Sequence, residues 1–419
     1  MPRILIITYY FPPWGMGGVQ RVLKFAKYLP EFGWDVTVVA PRSSQYHQQD
    51  LSLLDELPQT VHIERVDDHD IAIRGAIGRI GPISPIRPIA RWLSSWRDFP
   101  DRHRPFAELA VARARELMRE RPFDVVLTSS PPPSVHLAGL ALHGDIPWIA
   151  DFRDPWQALS DDYGPTLFHR LRNSGLHKRI LTSAGAIVAV TPELQSYFVH
   201  GCGGPSVTVI RNGYDEADFS GRDSKSDSAS EFRIVIPGTF SRFSDPRPLL
   251  RALSLWRTRN PDTAVRIVHV GASLGFDLPR LVADAGLSEV FHDSGYCDHA
   301  SAIREMLDSD LLMLSYADSR VTDVSVPGRI YEMIRTLRPI IALTPSRGAL
   351  ANLLANIDGC HIVPADDCNA ATLTIDQYLS MKTIPPVRNR RQIAPFERRE
   401  QARRLSELCH KLMNDRKAP

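Results

Sequence analysis

Cysteine is scarce in this chain and poorly spaced for chemistry. Five are present among 419 residues, Cys202, Cys297, Cys360, Cys368 and Cys409. The number is odd and no Cys-x-x-Cys pair occurs, so neither a zinc site nor a disulfide framework is implied, and a reducing cytoplasm fits best. Long hydrophobic runs are missing as well. No stretch approaches the ~20 apolar residues that a membrane span requires, so a protein of this kind working at a membrane sits on its surface. Neither sign of charge dominates: 50 Lys and Arg against 48 Asp and Glu leave a formal net charge of +2, which argues against a nucleic-acid binder. No repeat recurs at solenoid period.

What remains is the composition of a soluble globular protein, 43% apolar and 23% charged, in a chain too long for one ordinary core. Two domains are expected. The opening MPRILIITYYFPPW carries a short apolar run broken by Pro12 and Pro13, with no small-residue cleavage site, and reads as a first strand rather than a signal peptide.

Short β-branched runs alternate with helical patterns, as in parallel sheets wound with helices. Strands are predicted at Ile4 to Tyr9, Asp35 to Ala40, Asp124 to Thr128, Trp148 to Ala150 and Ala186 to Val190. Between the first two, Val19 to Gly33 places Val22, Leu23, Ala26 and Leu29 on one helical face, and Gly33 stops the helix. A polar segment, GRDSKSDSAS from Gly221 to Ser230, reads as a linker or exposed loop. A second series of strands follows at Phe232 to Pro237, Val265 to Val270, Leu311 to Ser315, Ile340 to Leu343 and Cys360 to Val363. The fold class is α/β, with two doubly wound, Rossmann-like domains facing across a cleft, and ligands of such folds bind at the carboxyl ends of strands.

Several residues fall there. In SVPGRIYEMIRTLRPIIAL, from Ser325 to Leu343, Pro327 and Gly328 turn the chain into a helix start whose amides suit phosphate. Arg329 adds a charge, and Glu332, one turn on, can accept two hydrogen bonds from a ribose diol. The plainer reading is a capped crossover with a surface glutamate. Gly15, Gly17 and Gly18 follow the first strand as a phosphate-facing loop or a plain turn; their spacing is not Gly-x-Gly-x-x-Gly, which discounts NAD and FAD. IADFRDPW sets Asp151, Arg153 and Asp154 at a strand end, for a leaving phosphate, a substrate hydroxyl or general-base work, or for a structural ion pair. His136 is a base or a packing residue at a helix start. Arg242 and Arg247 neutralise a diphosphate or lie in a solvated loop.

Taken together, YYFPPWGMGGVQRVLKFAKYL, SSPPPSVHLAG with IADFRDPW, VIRNGYD and the Ser325 segment resemble the GT-B fold retaining glycosyltransferases called glycosyl transferases group 1, in the bacterial branch with a DFRDPW segment. The likeness covers nearly the whole chain. It implies an acceptor-binding domain over residues 1–212, a nucleotide-sugar-binding domain over 213–394 and a final helix over 395–419 returning toward the first domain. It also implies a nucleotide-diphosphate-sugar donor, a UDP- or GDP-sugar, with no further cofactor and no catalytic metal. Retention at the anomeric carbon is part of the same expectation, as is a glycan or lipid-linked acceptor in bacterial surface polysaccharide, lipopolysaccharide or glycolipid biosynthesis. Glu332 resembles the family's ribose-binding glutamate, Gly328 and Arg329 its phosphate-contacting helix start, Gly17 and Gly18 its glycine loop, and Arg242 its basic residue after the first strand of the second domain. Arg247 stands where many members have lysine, and Asn212 with Gly213 matches the hinge.

Two departures from the pattern stand out. The usual sugar-binding glutamate, eight positions before the ribose glutamate, is Val324 here, with Asp323 one residue off register. The aligned histidine of the first domain is Arg153, which leaves Asp151, Asp154 or the leaving phosphate itself as base. Acidic Asp308 to Asp310 closes a helix and does not read as a metal site. Residues 71–105 carry Arg74, Arg79, Arg87, Arg91, Arg97, Arg102 and Arg104 against Asp98 and Asp101. They read as a contact with anionic lipid at the inner face of the cytoplasmic membrane or as a basic surface loop. A GT-B epimerase or hydrolase of nucleotide sugars and a non-catalytic relative are the rival classes.

Overall fold

The computed structural model describes residues 1–15, 17–42, 49–67, 99–156, 166–202, 206–220, 231–317, 319–381 and 388–417. The polar segment 221–230 and residues 71–98 of the basic segment lie outside the described residues. The chain divides into two compact units, Met1–Asn212 with Arg398–Pro419, and Gly213–Glu397.

In the first unit seven parallel strands run in the order β3-β2-β1-β4-β5-β6-β7. They are β1 Arg3–Thr8, β2 Asp35–Pro41, β3 His62–Val66, β4 Val125–Ser130, β5 Trp148–Phe152, β6 Ala186–Ala189 and β7 Val207–Val209. Central strands are buried along nearly their whole length, which a sheet covered by helices on both faces requires, and this is why they read as unbroken apolar runs. Edge strands β3 and β7 are largely half-exposed, so their apolar signal is too weak to stand out in the sequence. The expected helix from Val19 to Gly33 is cut short. It spans Gln20–Tyr28 and tightens to a 3₁₀ turn at Leu29–Phe32, because Pro30 has no amide to continue the ladder. Gly33 ends the turn at φ 83°, a left-handed conformation that glycine adopts without steric cost.

The final helix, Arg398–Lys417, packs on this unit. Ala402, Leu405 and Cys409 join Ile4, Ile6, Trp34 and Val125 in one core, and burying a side chain such as Leu405 contributes about 2 kcal/mol. Trp34 Nε1 donates to Ser406 Oγ at 2.9 Å, so the indole's one polar group is satisfied in the interior.

The second unit repeats the plan with six parallel strands, β10-β9-β8-β11-β12-β13, namely β8 Phe232–Pro237, β9 Val265–Val270, β10 Phe291–Asp293, β11 Leu311–Ser315, β12 Ile340–Leu343 and β13 Cys360–Val363. Alternate residues serve opposite faces: Val235, Leu312 and Leu314 pack with Ile330, Tyr331 and Ile334, whereas Ile234, Ile236 and Met313 pack with Leu249, Leu253 and Trp256. The turn Ala394–Phe396 stays with this unit. Phe396 lies 5.4 Å from the Tyr331 ring and its carbonyl accepts from Tyr214 N at 3.0 Å.

Strand order reverses between β1 and β4 in the first unit and between β8 and β11 in the second, and such switch points open a crevice at the carboxyl ends of the strands. Among the described residues no helix is long and apolar enough to cross a membrane.

Candidate functional site

At the switch point of the second unit, β8 delivers Gly238 at φ 101°. The missing side chain matters here. A Cβ on Gly238 would lie 2.1 Å from Arg329 Nη1, so the guanidinium occupies the space that any other residue would fill. Arg329 Nη2 donates to Ser244 Oγ at 2.9 Å, and Ser244 Oγ donates to the Ser315 carbonyl at the end of β11 at 3.0 Å. Its Nε is buried with no hydrogen-bond partner. Among the described residues no carboxylate forms an ion pair with Arg329. Burial pulls its guanidinium down to about 10, against the attraction of Tyr316 and Glu332. A cation held this way stabilises an anion placed against it more than a solvated one would.

Arg329 opens a short helix, Arg329–Arg335, with Gly328 at its N-cap and open space where a Gly328 side chain would be. Glu332, with its side chain 16% exposed, has Oε1 3.8 Å from His299 Nε2, and the same nitrogen lies 3.1 Å from Asp218 Oδ2. The structure thus brings Gly328, Arg329 and Glu332 together at one helix start.

The two loop arginines behave differently. Arg242 is exposed, its guanidinium 4.6 Å from the Phe243 ring. Arg247 is also exposed and is clasped by Asp245, with Nε 2.9 Å from both carboxylate oxygens. Asp245 caps the helix Pro246–Arg259 by accepting from Arg247 N. The charge of Arg247, expected either to meet a diphosphate or to lie in a solvated loop, is engaged locally by Asp245. Beside the missing glutamate at Val324, the half-buried Asp323 carboxylate makes no hydrogen bond, while its backbone carbonyl accepts from Ala349 N at 2.9 Å.

In the first unit Arg153 ties the switch point together. It is 7% exposed, and its guanidinium donates to Ser130 O at 2.6 Å, to Pro131 O at 3.3 Å and to Gly18 O. Three carbonyls leave its charge without a carboxylate clasp. Burial lowers the guanidinium's pKa, and Asp154 and Asp151 oppose the shift. Gly18 has Tyr10 at 3.4 Å and Arg153 at 3.6 Å from where a Cβ would sit, whereas Gly17 faces open space.

Asp151 and Asp154, three residues apart, have opposite environments. Asp151 is fully buried and accepts from Arg21 Nη2 at 2.7 Å, Arg21 Nε at 2.9 Å and Ser129 Oγ at 2.7 Å. Burial pushes its carboxyl up, but Arg21 and Ser129 outweigh that and hold it below the usual range. Asp154 makes no hydrogen bond, is half-buried, and lines a small pocket with Ser130, Pro131, Pro133, Phe152 and Trp156. There burial raises the carboxyl's pKa against the pull of Arg153.

His136 is fully buried in the helix Val135–Leu142, its Nδ1 2.8 Å from Thr128 Oγ1 and its ring 4.3 Å from Phe152. Burial drives its pKa down to about 3. Of the two roles expected for this position, full burial, the Thr128 contact and the neighbouring Phe152 ring fit packing, and Nε2 is buried with no hydrogen-bond partner.

Sequence reasoning missed Arg21, Ser244 and His177. Arg21 lies in an amphipathic helix where a single arginine gives no sign of facing inward, and Ser244 is one of several loop serines. His177 is 2% exposed, stacked 5.3 Å from Trp156, with both ring nitrogens unpartnered.

Comparison with known proteins follows the same lines. The model of Glycosyltransferase Family 4 matches residues 16–218. D-inositol 3-phosphate glycosyltransferase of Pseudarthrobacter chlorophenolicus is 31% identical over 135 residues, which span 29% of this chain and 31% of that relative. The match thus covers about a third of that curated relative's length. Among solved structures, sucrose-phosphate synthase from Thermosynechococcus elongatus superposes with a TM-score of 0.68 at 14% identity, covering 99% of this chain and 100% of that one. Anabaena HepE in complex with UDP and glucose gives 0.66 at 16% identity, with 98% and 100% covered. At such identities the likeness carries the fold, which is GT-B: two Rossmann-like units built on parallel sheets.

Proposed function

We propose that this protein is a glycosyltransferase that moves a sugar from a nucleotide-diphosphate-sugar to a glycan or lipid-linked acceptor, with retention at the anomeric carbon and without a catalytic metal. The single observation that carries the reading is the Arg329 guanidinium, seated over Gly238 with its Nε buried and unpartnered and, among the described residues, no carboxylate paired to it. A buried cation without a paired carboxylate at a switch point calls for an anion, and a leaving nucleoside diphosphate supplies one. Glu332, one turn along the same helix, accepts the ribose hydroxyls.

Charge grows on the leaving phosphate as the glycosidic bond breaks. Donors already fixed there stabilise that transition state more than the bound donor and so accelerate transfer. Arg242 has the exposure to reach the same diphosphate, and Asp323 stands free to hold a sugar hydroxyl in place of the family's glutamate. In the first unit, Gly17 and Gly18 are read as the glycine loop that serves a diphosphate, a reading supported by the open space at Gly17 and by Arg153, which donates to the Gly18 carbonyl. Asp154 is assigned to the acceptor hydroxyl, since Asp151 is committed to Arg21. The donor is a UDP- or GDP-sugar, a reading supported by the UDP and glucose bound to Anabaena HepE. The work is placed in bacterial surface polysaccharide or glycolipid assembly, lipopolysaccharide included, at the cytoplasmic face of the membrane.

A thermal-shift panel of UDP, GDP, ADP, TDP and their sugars tests this, because a ligand that binds only the native state raises Tm. One nucleotide stabilises the wild type and not Glu332→Ala or Arg329→Met. Release of free nucleoside diphosphate then depends on added acceptor. Release with water alone makes the protein a hydrolase, and no stabilisation by any nucleotide makes it a non-catalytic relative.

A further inference from the structure

The helix Leu167–Ser183 is built the wrong way round for a helix that faces water. Its buried residues are His169, Asn173, His177, Ile180 and Leu181, three of them polar, while Leu167, Phe168 and Leu171 are 72%, 59% and 63% exposed. A surface helix of a soluble protein normally does the reverse. At 3.6 residues per turn the three apolar residues fall within an arc of about 100°, and Arg170, Arg172, Lys178 and Arg179 lie in or beside it. All four basic residues are exposed and the helix contains no Asp or Glu; Arg172 also stacks 4.2 Å over the Phe99 ring, and Lys178 and Arg179 lie further along the same side. Thr166 caps its start, its hydroxyl accepting from His169 N at 3.4 Å. The inward polar residues are held in place: Asn173 Oδ1 accepts from Trp156 Nε1 at 2.7 Å and His177 stacks on the same indole. Rotating the helix to hide its leucines would break both contacts.

We propose that this face docks on an anionic lipid bilayer, with Leu167, Phe168 and Leu171 entering the headgroup boundary and the exposed Lys178 and Arg179 meeting lipid phosphates. Charge complementarity selects this occupant. Apolar residues gathered in one and a half turns, beside Lys178 and Arg179 on a helix that carries no acid of its own, match an anionic interface. Long basic side chains also reach headgroups while their stems stay on apolar surface. The inference assigns the membrane contact to a defined element and is independent of the donor chemistry.

Co-sedimentation of the full chain with phosphatidylcholine vesicles, with and without phosphatidylglycerol, tests it. The wild type binds only when phosphatidylglycerol is present, and less at raised salt. Leu167→Ser/Phe168→Ser/Leu171→Ser abolishes binding. Lys178→Glu/Arg179→Glu weakens it on the order of tenfold or more, since each basic residue near the surface carries a substantial share of the attraction. Leu373→Ser, which alters an exposed leucine of the second unit, leaves binding unchanged. Nucleotide-induced stabilisation, measured without vesicles, stays intact in every variant, so its loss would bear on the donor site and not on docking. Binding that ignores phosphatidylglycerol, or that survives the triple substitution, overturns the proposal. So does a triple variant that instead converts a dimer to a monomer in gel filtration, because the face would then belong to a second copy of the chain.

Discussion

The guanidinium of Arg21 and the carboxylate of Asp151 form a buried pair, Nη2 to Oδ1 at 2.7 Å, with both side chains no more than 2% exposed. Arg21 also donates to Arg211 O at 3.0 Å, so one guanidinium joins the first helix, the end of β5 and the segment before Asn212. Removing one partner strands a charge in the interior. Asp151→Asn is therefore expected to cost about 3–5 kcal/mol of stability, and Arg21→Met/Asp151→Leu to recover much of it. Urea denaturation of the three proteins checks this. A variant as stable as the wild type yet devoid of transfer would return Asp151 to the chemistry.

Much of the architecture was legible in the residues. The ten strands expected from β-branched runs are present, with ends shifted by a residue or two, since central parallel strands announce themselves by continuous apolarity. The edge strands β3, β7 and β10 stayed hidden because partly exposed residues carry mixed polarity. The site was legible only in part. Helix-start geometry marked Gly328, Arg329 and Glu332 from spacing alone. Spacing could not distinguish Asp151 from Asp154, since what separates them is Arg21, 130 positions away in the chain. Nor could it reveal that Arg247 turns back on Asp245, a neighbour two residues off. Partners in space decide the role of a charged residue, and a single sequence does not display them.

Gly238 is where the donor site is most easily broken. A methyl group at φ 101° is strained, and it would meet Arg329 Nη1 at 2.1 Å. Gly238→Ala is expected to destabilise the protein by about 1–2 kcal/mol and to abolish the nucleotide-induced rise in Tm. Arg329→Lys keeps a charge but loses the planar fork, and is expected to weaken nucleotide binding by about tenfold. Calorimetric titration with UDP and GDP measures both. Wild-type affinity in Gly238→Ala would show that the guanidinium does not need its seat.

His177 makes stability depend on pH. Burial lowers its pKa from 6.5 to about 4, so between those values the unfolded chain takes up a proton that the folded ring refuses. The contribution is fully present above pH 6.5 and is lost as pH falls toward 4, amounting to about 3 kcal/mol. His136, lowered to about 3, adds a loss of the same sign. His177→Phe removes one titration and two unpartnered nitrogens. Chemical denaturation at pH 7 and pH 5 is expected to show the wild type weakening more than the variant on acidification. Parallel behaviour would mean that water reaches the ring.

Asp154 is the carboxylate of its segment that is free to act. It has no hydrogen bond, it lines the pocket with Phe152 and Trp156, and burial holds its pKa up while Arg153 pulls it down. A carboxylate poised in this way can take up a hydroxyl proton near neutral pH more readily than one tied to a guanidinium. Asp154→Asn is expected to lower kcat by about 10²–10⁴-fold with nucleotide stabilisation and urea midpoint unchanged. Asp151→Asn, by contrast, loses stability and activity together. The steady-state rate of nucleotide release with acceptor present, set beside the two denaturation curves, separates the roles. Equal rates in Asp154→Asn and wild type would leave the leaving phosphate as the base and reduce Asp154 to a pocket wall. The pH profile of kcat checks the same assignment, since an ionising Asp154 gives an acidic limb that Asp154→Asn removes.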